Sequence, residues 1–404
     1  MKIVVQKFGG TSVSSKENRE KVVNKILEKY NSGYSIVIVV SAMGRKGNPY
    51  ATDSLLELIN NKAIQPRELD LLLSCGEIIS AVILSGHLNE KGLKTKVFTG
   101  YQAGIKTNDY YGEAHIIDVN PKNILNSLKE NYIAIVAGFQ GATSSGEITT
   151  LGRGGSDISA VALGKSLKCQ LVEIYTDVDG IMTADPNIVP NAKVLETMCY
   201  SEVHQLAEDG AKVIHPKAVE IAQQANMPLK IKNTFTDNKG TTIEGADVQF
   251  LDKRKNLQEE KIITAITYKK NRVQVIIDMQ KGNDDIENFM DEITKSRISI
   301  DLINFFVDKK AFTIDKEDLP NLEKILKKGA YSYNIVKDCC KLSVIGYKMR
   351  GVPGVMARIV RALSTEGIKI LQSSDSHNTI WCLVNDKNTN KALNALHKEF
   401  KLYE

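Results

Sequence analysis

Five short runs, Lys2 to Lys7, Ile36 to Val40, Ile133 to Ala137, Leu171 to Thr176 and Leu229 to Lys232, are apolar or rich in β-branched residues, and helical patterns separate them. A strand that is apolar on both faces must be covered on both faces. The alternation therefore predicts an α/β architecture, a mostly parallel sheet sandwiched by helices. Helices are expected from Gly10 through Tyr30, over Ser54 to Asn61 and Arg67 to Leu88, from Pro121, over Ser156 to Leu167, and near Ser201 and Pro216, with a further strand near Val97. A chain of 404 residues with 42% hydrophobic and 25% charged residues can bury a sizeable core. It is neither a mini-protein nor a disordered chain.

The pattern changes near Asp237. A polar, turn-rich stretch follows (TDNKGTTIEG, then LDKRKNLQEEK), and beyond it two segments share the outline of a small βαββαβ unit. The expected division is a catalytic-type domain over 1–240, a linker over 241–261, and two α+β units over 262–338 and 339–404. The second unit carries a Gly-Pro-Gly-like turn (GVPGV) before an amphipathic helix; the first has MQKGNDDIENF in its place.

The formal charge of +5, from 53 basic and 48 acidic residues, is spread along the chain rather than gathered in a block, which argues against nucleic acid as a partner. The six cysteines lack C-x-x-C spacing, and no histidine pair has zinc-site spacing, so neither a disulfide framework nor a structural metal is expected. Cys339 and Cys340 are expected as buried thiols at the start of a strand. The N-terminal apolar run is too short for a signal peptide and Ser35 to Met43 is too short to cross a bilayer, so the expected location is cytoplasmic, away from membranes.

Three places concentrate residues with chemical potential. Lys7-Phe8-Gly9-Gly10-Thr11-Ser12 sets a lysine, paired glycines and hydroxyls between a strand and a helix. Such a turn either cradles phosphate on backbone N–H groups or is a tight βα turn with a capping hydroxyl. It is not a Walker A loop, because the Gly164-Lys165-Ser166 triplet has Ser159 where the first glycine must stand. Gly154-Gly155-Ser156-Asp157-Ile158 ends in isoleucine and is no nucleophile elbow. The glycine-rich Gly138 to Asp157 loop ends with Arg153 between glycines at a helix start, placed to take a carboxylate or phosphate through two parallel hydrogen bonds. Thr176 to Pro186 (TDVDGIMTADP) follows another apolar strand. Glu77 lies in an otherwise apolar helix, where an acid is costly to bury without a partner, so a cationic contact is expected for it. Lys212, in GAKVIHPKAV, reads equally as a surface lysine.

Taken in order, KFGGTSV at Lys7 to Val13, SAMG at Ser41 to Gly44 with Thr52-Asp53-Ser54, SCGE at Ser74 to Glu77, GFQG at Gly138 to Gly141, TTLGRGGSD at Thr149 to Asp157, TDVDGI at Thr176 to Ile181 and AKVIHPKA at Ala211 to Ala218 resemble the aspartate kinases of the amino-acid kinase superfamily. The C-terminal pair resembles their ACT domains, so the resemblance spans essentially the whole chain. It implies the amino-acid kinase fold and transfer of the γ-phosphoryl of ATP to the side-chain carboxylate of L-aspartate, with Mg²⁺ accompanying ATP. By the resemblance Lys7, Gly9, Gly10 and Lys212 would hold the phosphates, Asp157 would orient the lysines or help place the metal, and Thr176, Asp177, Met182 and Asp185 would line the nucleotide. Arg153, Glu77 and Thr52, with Gly154 and Ser156, would bind aspartate. Lysine, or threonine, would act as a feedback inhibitor through the ACT units, with Met279, Asp284, Ile286 and Asp301 at the effector. A homodimer through those units, or a tetramer, is implied. A kinase of another acidic amino acid or of a carbamate, and a non-catalytic amino-acid sensor, are the competing readings; Glu77 with Arg153 opposes the first and the intact Lys7-Gly9-Gly10 turn opposes the second.

Overall fold

The computed structural model describes residues 1–59, 63–211, 213–245, 262–278, 286–329, 331–347, 349 and 352–404. They fall into two units. The first comprises Met1–Ile181, Val194–Ala207 and Lys212–Lys253; the second comprises Met182–Lys193, Glu208–Ala211 and Arg254–Glu404.

The first unit is built on an eight-stranded sheet. Its strands in chain order are β1 (Ile3–Phe8), β2 (Ser35–Val40), β3 (Thr95–Phe98), β6 (Ile133–Ala137), β9 (Leu171–Thr176), β10 (Thr197–Cys199), β11 (Leu229–Asn233) and β12 (Thr241–Glu244). The order across the sheet is β10-β12-β11-β9-β1-β2-β6-β3, parallel throughout except between β11 and β12. The sequence SIVIVV makes β2 a central strand: five of its six residues are buried, as a strand covered on both faces requires. Helices α1 (Gly10–Val13), α2 (Lys16–Asn31), α3 (Thr52–Glu57), α4 (Pro66–Glu90), α5 (Lys122–Lys129), α6 (Gly155–Leu167), α7 (Tyr200–Glu208) and α8 (Pro216–Gln224) alternate with the strands. Helix α2 starts where the Ser15 hydroxyl accepts from Asn18 N at 3.2 Å, buries Val22, Val23 and Ile26 on one face, and stops before Gly33, which turns with φ +80°.

Two features depart from the expected layout. The stretch read as one glycine-rich loop contains a hairpin, β7 (Gln140–Ala142) with β8 (Ile148–Thr150), which joins β4 (Ile105–Thr107) and β5 (Ile116–Val119) in a separate four-stranded sheet. The linker expected from residue 241 instead opens with β12, paired to both β10 and β11; a run of Thr-Thr-Ile-Glu is polar but alternates correctly for a strand near the sheet edge.

Helix α4 is long and apolar enough to cross a membrane by length and composition alone. Its inner face argues for a core helix: Asp70, Ser74, Glu77 and Ser80 are all buried. The Asp70 carboxylate, fully buried, accepts from Thr150 N and Thr150 Oγ1, both at 2.7 Å, and from Gly112 N at 3.0 Å, clamping α4 to the four-stranded sheet. Asp70→Ala strands those donors and is expected to cost about 3 kcal/mol or more. The urea midpoint should fall with the slope unchanged, and a midpoint shift under about 1 kcal/mol would contradict the clamp.

The second unit is a six-stranded antiparallel sheet, ordered β14-β15-β13-β16-β18-β17, from β13 (Ile263–Asp278), β14 (Ile300–Phe305), β15 (Lys309–Asp315), β16 (Ser332–Gly346), β17 (Gln372–Asp375) and β18 (Thr379–Asn385). The two expected βαββαβ outlines share this sheet, because the long β13 and β16 pair with each other from Ile263↔Gly346 to Asp278↔Ser332. Helices α9 (Ile286–Lys295) and α10 (Leu319–Lys328) cover one apolar cluster around Phe289, Phe312 and Leu322, while α11 (Val355–Thr365) and α12 (Thr389–Glu399) cover another around Leu342, Ile359 and Leu393. Cys339 and Cys340 are buried as expected, but in the middle of β16 rather than at its start.

Candidate active site

In parallel sheets ligands gather beyond the carboxyl ends of strands, where the chain switches direction across the sheet. Here the switch lies at β1: β2, β6 and β3 lie to one side of it and β9 and β11 to the other. Lys7 is the next-to-last residue of β1, between Val39 of β2 and Ile174 of β9. Its ammonium lies 2.7 Å from Asp157 Oδ1, in the first turn of α6, with both side chains about nine-tenths buried. That oxygen takes no aligned hydrogen bond, so the pair is held by charge.

The turn after Lys7 is fixed from several strands. Gly9 N donates to Tyr175 O at 3.2 Å, and the Ser12 and Thr234 hydroxyls are 2.6 Å apart, tying α1 to the ends of β9 and β11. Among the described residues nothing accepts from the Gly10 and Thr11 N–H groups, which stand at a helix start where anions are favoured. Gly10 has to be glycine: a Cβ there would lie 2.6 Å from Gly44 O and 2.7 Å from Ala42 O. The Ser41–Gly44 loop closes on it through Gly44 N to Gly10 O at 2.9 Å. Arg45 follows that loop, donating to Thr11 Oγ1 at 3.1 Å and pairing with Asp177 Oδ2 at 2.5 Å.

Glu77 lies behind the same loop. It is 2% exposed, and Oε1 accepts from Ala42 N at 3.0 Å while Oε2 has no hydrogen-bond partner among the described residues. No described residue supplies the cation expected for it. Burial in apolar surroundings pushes its carboxyl up to about 8. Arg153 is exposed and makes no ion pair or hydrogen bond with the described residues. Next to it Gly154 turns with φ +70° under His215, whose ring would lie 2.5 Å from a Cβ at that position. His215 caps α8 by accepting from Lys217 N, and burial holds its imidazole below the usual histidine range. Ser156 is buried in the first turn of α6, and Thr52 opens α3.

The structure thus gathers Lys7, Gly9, Gly10, Asp157, Thr176 and Asp177 within the first unit. Glu77, Arg153, Gly154, Ser156 and Thr52 also belong to that unit. Lys212, Met279 and Asp284 lie outside the described residues, and of Ile286 only its place at the start of α9 is described. Met182 and Asp185 belong to the second unit, and the Asp185 carboxylate accepts from Asn187 N at 2.9 Å and from the Tyr268 hydroxyl at 3.1 Å. Asp301 is not a free anion either, since Lys341 Nζ is 2.7 Å away and Arg272 3.6 Å away. Arg45, the Ala42 N–H and Thr234 were not singled out from the sequence. Their signal was position: each follows the end of a central strand, on the rim where Lys7 stands.

A family model described as the amino acid kinase family matches residues 2–233, and one described as an ACT domain matches residues 334–398. The chain is 43% identical over 412 residues to aspartokinase 1 of Bacillus subtilis, covering all of both chains, and 37% identical over 414 residues to the aspartokinase of Geobacillus stearothermophilus, covering 100% and 98%. In fold it is similar to Escherichia coli aspartokinase III solved with aspartate and ADP, with a TM-score of 0.80 at 23% identity over 98% of this chain and 99% of that one. The same E. coli enzyme solved with lysine and aspartate gives 0.75, also at 23% identity, over 100% of each chain. The chain belongs to the aspartokinases, amino-acid kinases carrying an ACT domain that transfer phosphate to a carboxylate acceptor.

Proposed function

We propose that the carboxyl rim of β1 is where the γ-phosphoryl of ATP passes to the side-chain carboxylate of L-aspartate, giving 4-phospho-L-aspartate. The observation that carries this reading is the nine-tenths-buried Lys7–Asp157 pair beside the unpartnered Gly10 and Thr11 N–H groups. The acceptor carboxylate, with an ordinary pKa of about 3.9, is already ionised at neutral pH, so no general base is needed. The obstacle is bringing an anion against a polyanion, which calls for cations and fixed donors around the transferred group. Lys7 and the Gly9-Gly10 turn hold the β- and γ-phosphates, Asp157 keeps the Lys7 ammonium aimed at them, and Lys212 is assigned to the nucleotide phosphates by the family resemblance. Thr176 and Asp177 border the nucleotide, with Arg45 holding Asp177.

For aspartate, the unpartnered Oε2 of Glu77 takes the α-ammonium and Arg153 the α-carboxylate, with Thr52, Gly154 and Ser156 completing the pocket. Mg²⁺ fits these residues as a companion of the triphosphate. No group of three or more carboxylate, imidazole or thiol ligands occurs among the described residues, and Mg²⁺ characteristically keeps water and phosphate oxygens with one or two carboxylates. Asp157 is the carboxylate that would hold it, through the oxygen that does not face Lys7; when bound, Mg²⁺ would neutralise charge on the phosphates.

The assay is incubation with MgATP, L-aspartate and hydroxylamine, trapping the product as aspartyl hydroxamate. Arg153→Ala removes a charge-assisted pair worth roughly 1.5–3 kcal/mol and should raise the KM for aspartate about 10- to 100-fold with kcat little changed. An unchanged KM would remove Arg153 from the pocket.

The reading extends to a cytoplasmic enzyme at the entry to lysine, threonine and methionine biosynthesis, with a catalytic part ending after β12 and regulatory units over 262–338 and 339–404. Lysine, or threonine in its place, is the effector, and Met279, Asp284, Ile286 and Asp301 are assigned to it by the family resemblance; the similar E. coli enzyme has been solved with lysine. Indifference of the assay to both amino acids would refute it. A homodimer through the ACT sheet, or a tetramer, is supported by edge strand β14, where Ile303 and Phe305 and the following Phe306 and Val307 are exposed.

A further inference from the structure

The segment Glu208–Ala211 belongs to the second unit, although the chain up to Ala207 and from Lys212 onward belongs to the first. Contacts within the second unit hold it. Asp209 Oδ1 lies 2.8 Å from Lys341 Nζ, Asp209 Oδ2 accepts from Trp381 Nε1 at 2.8 Å, and Gly210 presses onto β13 with φ +114°, so that a Cβ there would stand 2.4 Å from Tyr268 O. A glycine is required at that approach.

Lys341 sits at the centre of this arrangement. Its side chain is 7% exposed, that of Asp209 is 3% exposed, and the same ammonium also reaches Asp301 Oδ2 at 2.7 Å. The other Asp301 oxygen accepts from Leu302 N at 2.8 Å, so both oxygens of this carboxylate are engaged. Arg272, 2% exposed, lies 3.6 Å from Asp301 and 2.6 Å from Asp315 Oδ1. Burial alone would raise the Asp301 carboxyl, but the Lys341 hydrogen bond and charge outweigh it and hold it below the usual range. With Lys269 Nζ 3.6 Å from Asp315 Oδ2, the cluster sets three cations against three carboxylates, and a change of partner at one carboxylate alters the balance at the others.

We propose that Lys341 is a positioning residue that ties Asp301, on the effector side, to Asp209, in the segment leading directly into Lys212, so that an ammonium captured by Asp301 takes that carboxylate from Lys341 and resets Glu208–Ala211. The inference rests on the reading of Asp301 as an effector contact. The coupling is a difference in binding between two arrangements of one ammonium, and it works in both directions: whatever holds Asp209 strengthens or weakens ligand capture at Asp301 by the same factor.

The test uses the full chain, the hydroxamate assay, and calorimetry with L-lysine and L-threonine. Lys341→Met keeps the length of the stem and removes the charge. It should lower kcat about tenfold with the KM for aspartate unchanged, and should abolish inhibition by the amino acid while calorimetry still registers its binding. Lys341→Arg should restore part of both effects, which a loss of packing alone would not allow. Asp209→Asn should lower kcat similarly, and the double variant should be no worse than either single one. If Lys341→Met does not fold, Asp209→Asn and Trp381→Phe carry the test, each expected to lower kcat and weaken inhibition. Wild-type kcat and inhibition in the folded variants would overturn the proposal. Failure of the wild-type enzyme to bind either amino acid would instead overturn the effector reading, and the link from Lys341 to Lys212 would stand or fall on kcat.

Discussion

Lys7→Ala is expected to lower kcat about 10²- to 10³-fold, the scale of losing one fixed electrostatic donor to a developing anion. The ammonium stands at the end of a central strand with 12% of its side chain exposed, so neither solvent nor a mobile neighbour can replace it. Because Asp157 is also nine-tenths buried, the substitution leaves a carboxylate without its cation and some loss of stability accompanies the loss of rate. The double variant Lys7→Ala/Asp157→Asn separates the two effects. It removes the stranded charge and should recover stability, read as the urea midpoint, without recovering kcat. Recovery of both would mean that Lys7 serves the fold and not the phosphoryl group.

Glu77→Gln should move activity and stability in opposite directions. The Glu77 carboxyl is pushed up to about 8 by burial, against an ordinary value of 4.5. Between these values the folded protein holds a proton that the unfolded chain has released. Stability from this group is therefore full below about pH 4.5 and is lost as pH rises through about 8. At about 1.4 kcal/mol per pH unit over that window, the cost reaches the order of a few kcal/mol by pH 9. Glutamine keeps an acceptor for Ala42 N and never ionises, so the variant should gain stability over the parent progressively from pH 6 to pH 9. Its KM for aspartate should nevertheless rise about 10- to 100-fold, because the α-ammonium loses its carboxylate. In the parent enzyme, kcat/KM for aspartate should climb with pH toward about 8 as Glu77 ionises. A variant that neither gains stability with pH nor loses aspartate affinity would show that Glu77 is an ordinary buried acid.

Much of this arrangement was legible in the amino-acid order, and the failures have physical causes. The runs Ile133–Ala137 and Leu171–Thr176 are strands at the limits their apolar stretches indicated, because a strand buried on both faces writes its own boundaries. The four-stranded sheet left no such mark: β4, β7 and β8 have three residues each and β5 four, too short for a period to show among glycines and threonines. Lys7, Gly9 and Gly10 could be read locally because the turn that uses them is local. The environment of Glu77 could not. Its contact with Ala42 spans 35 residues and depends on Gly10 admitting the loop between them. That Met182 and Asp185 join the second unit could not be read either, since proximity along the chain to Thr176 and Asp177 says nothing about which unit a residue joins. The Lys341–Asp209 contact joins residues 132 positions apart in two segments of different character, and no periodicity announces it.

A crystal structure of the enzyme with a non-hydrolysable ATP analogue, Mg²⁺ and L-aspartate places the reacting groups directly. The γ-phosphate is expected within hydrogen-bond reach of Lys7 Nζ and of the Gly10 and Thr11 N–H groups, with the aspartate ammonium on Glu77. A triphosphate bound elsewhere, with Lys7 still paired only to Asp157, would contradict the proposed site.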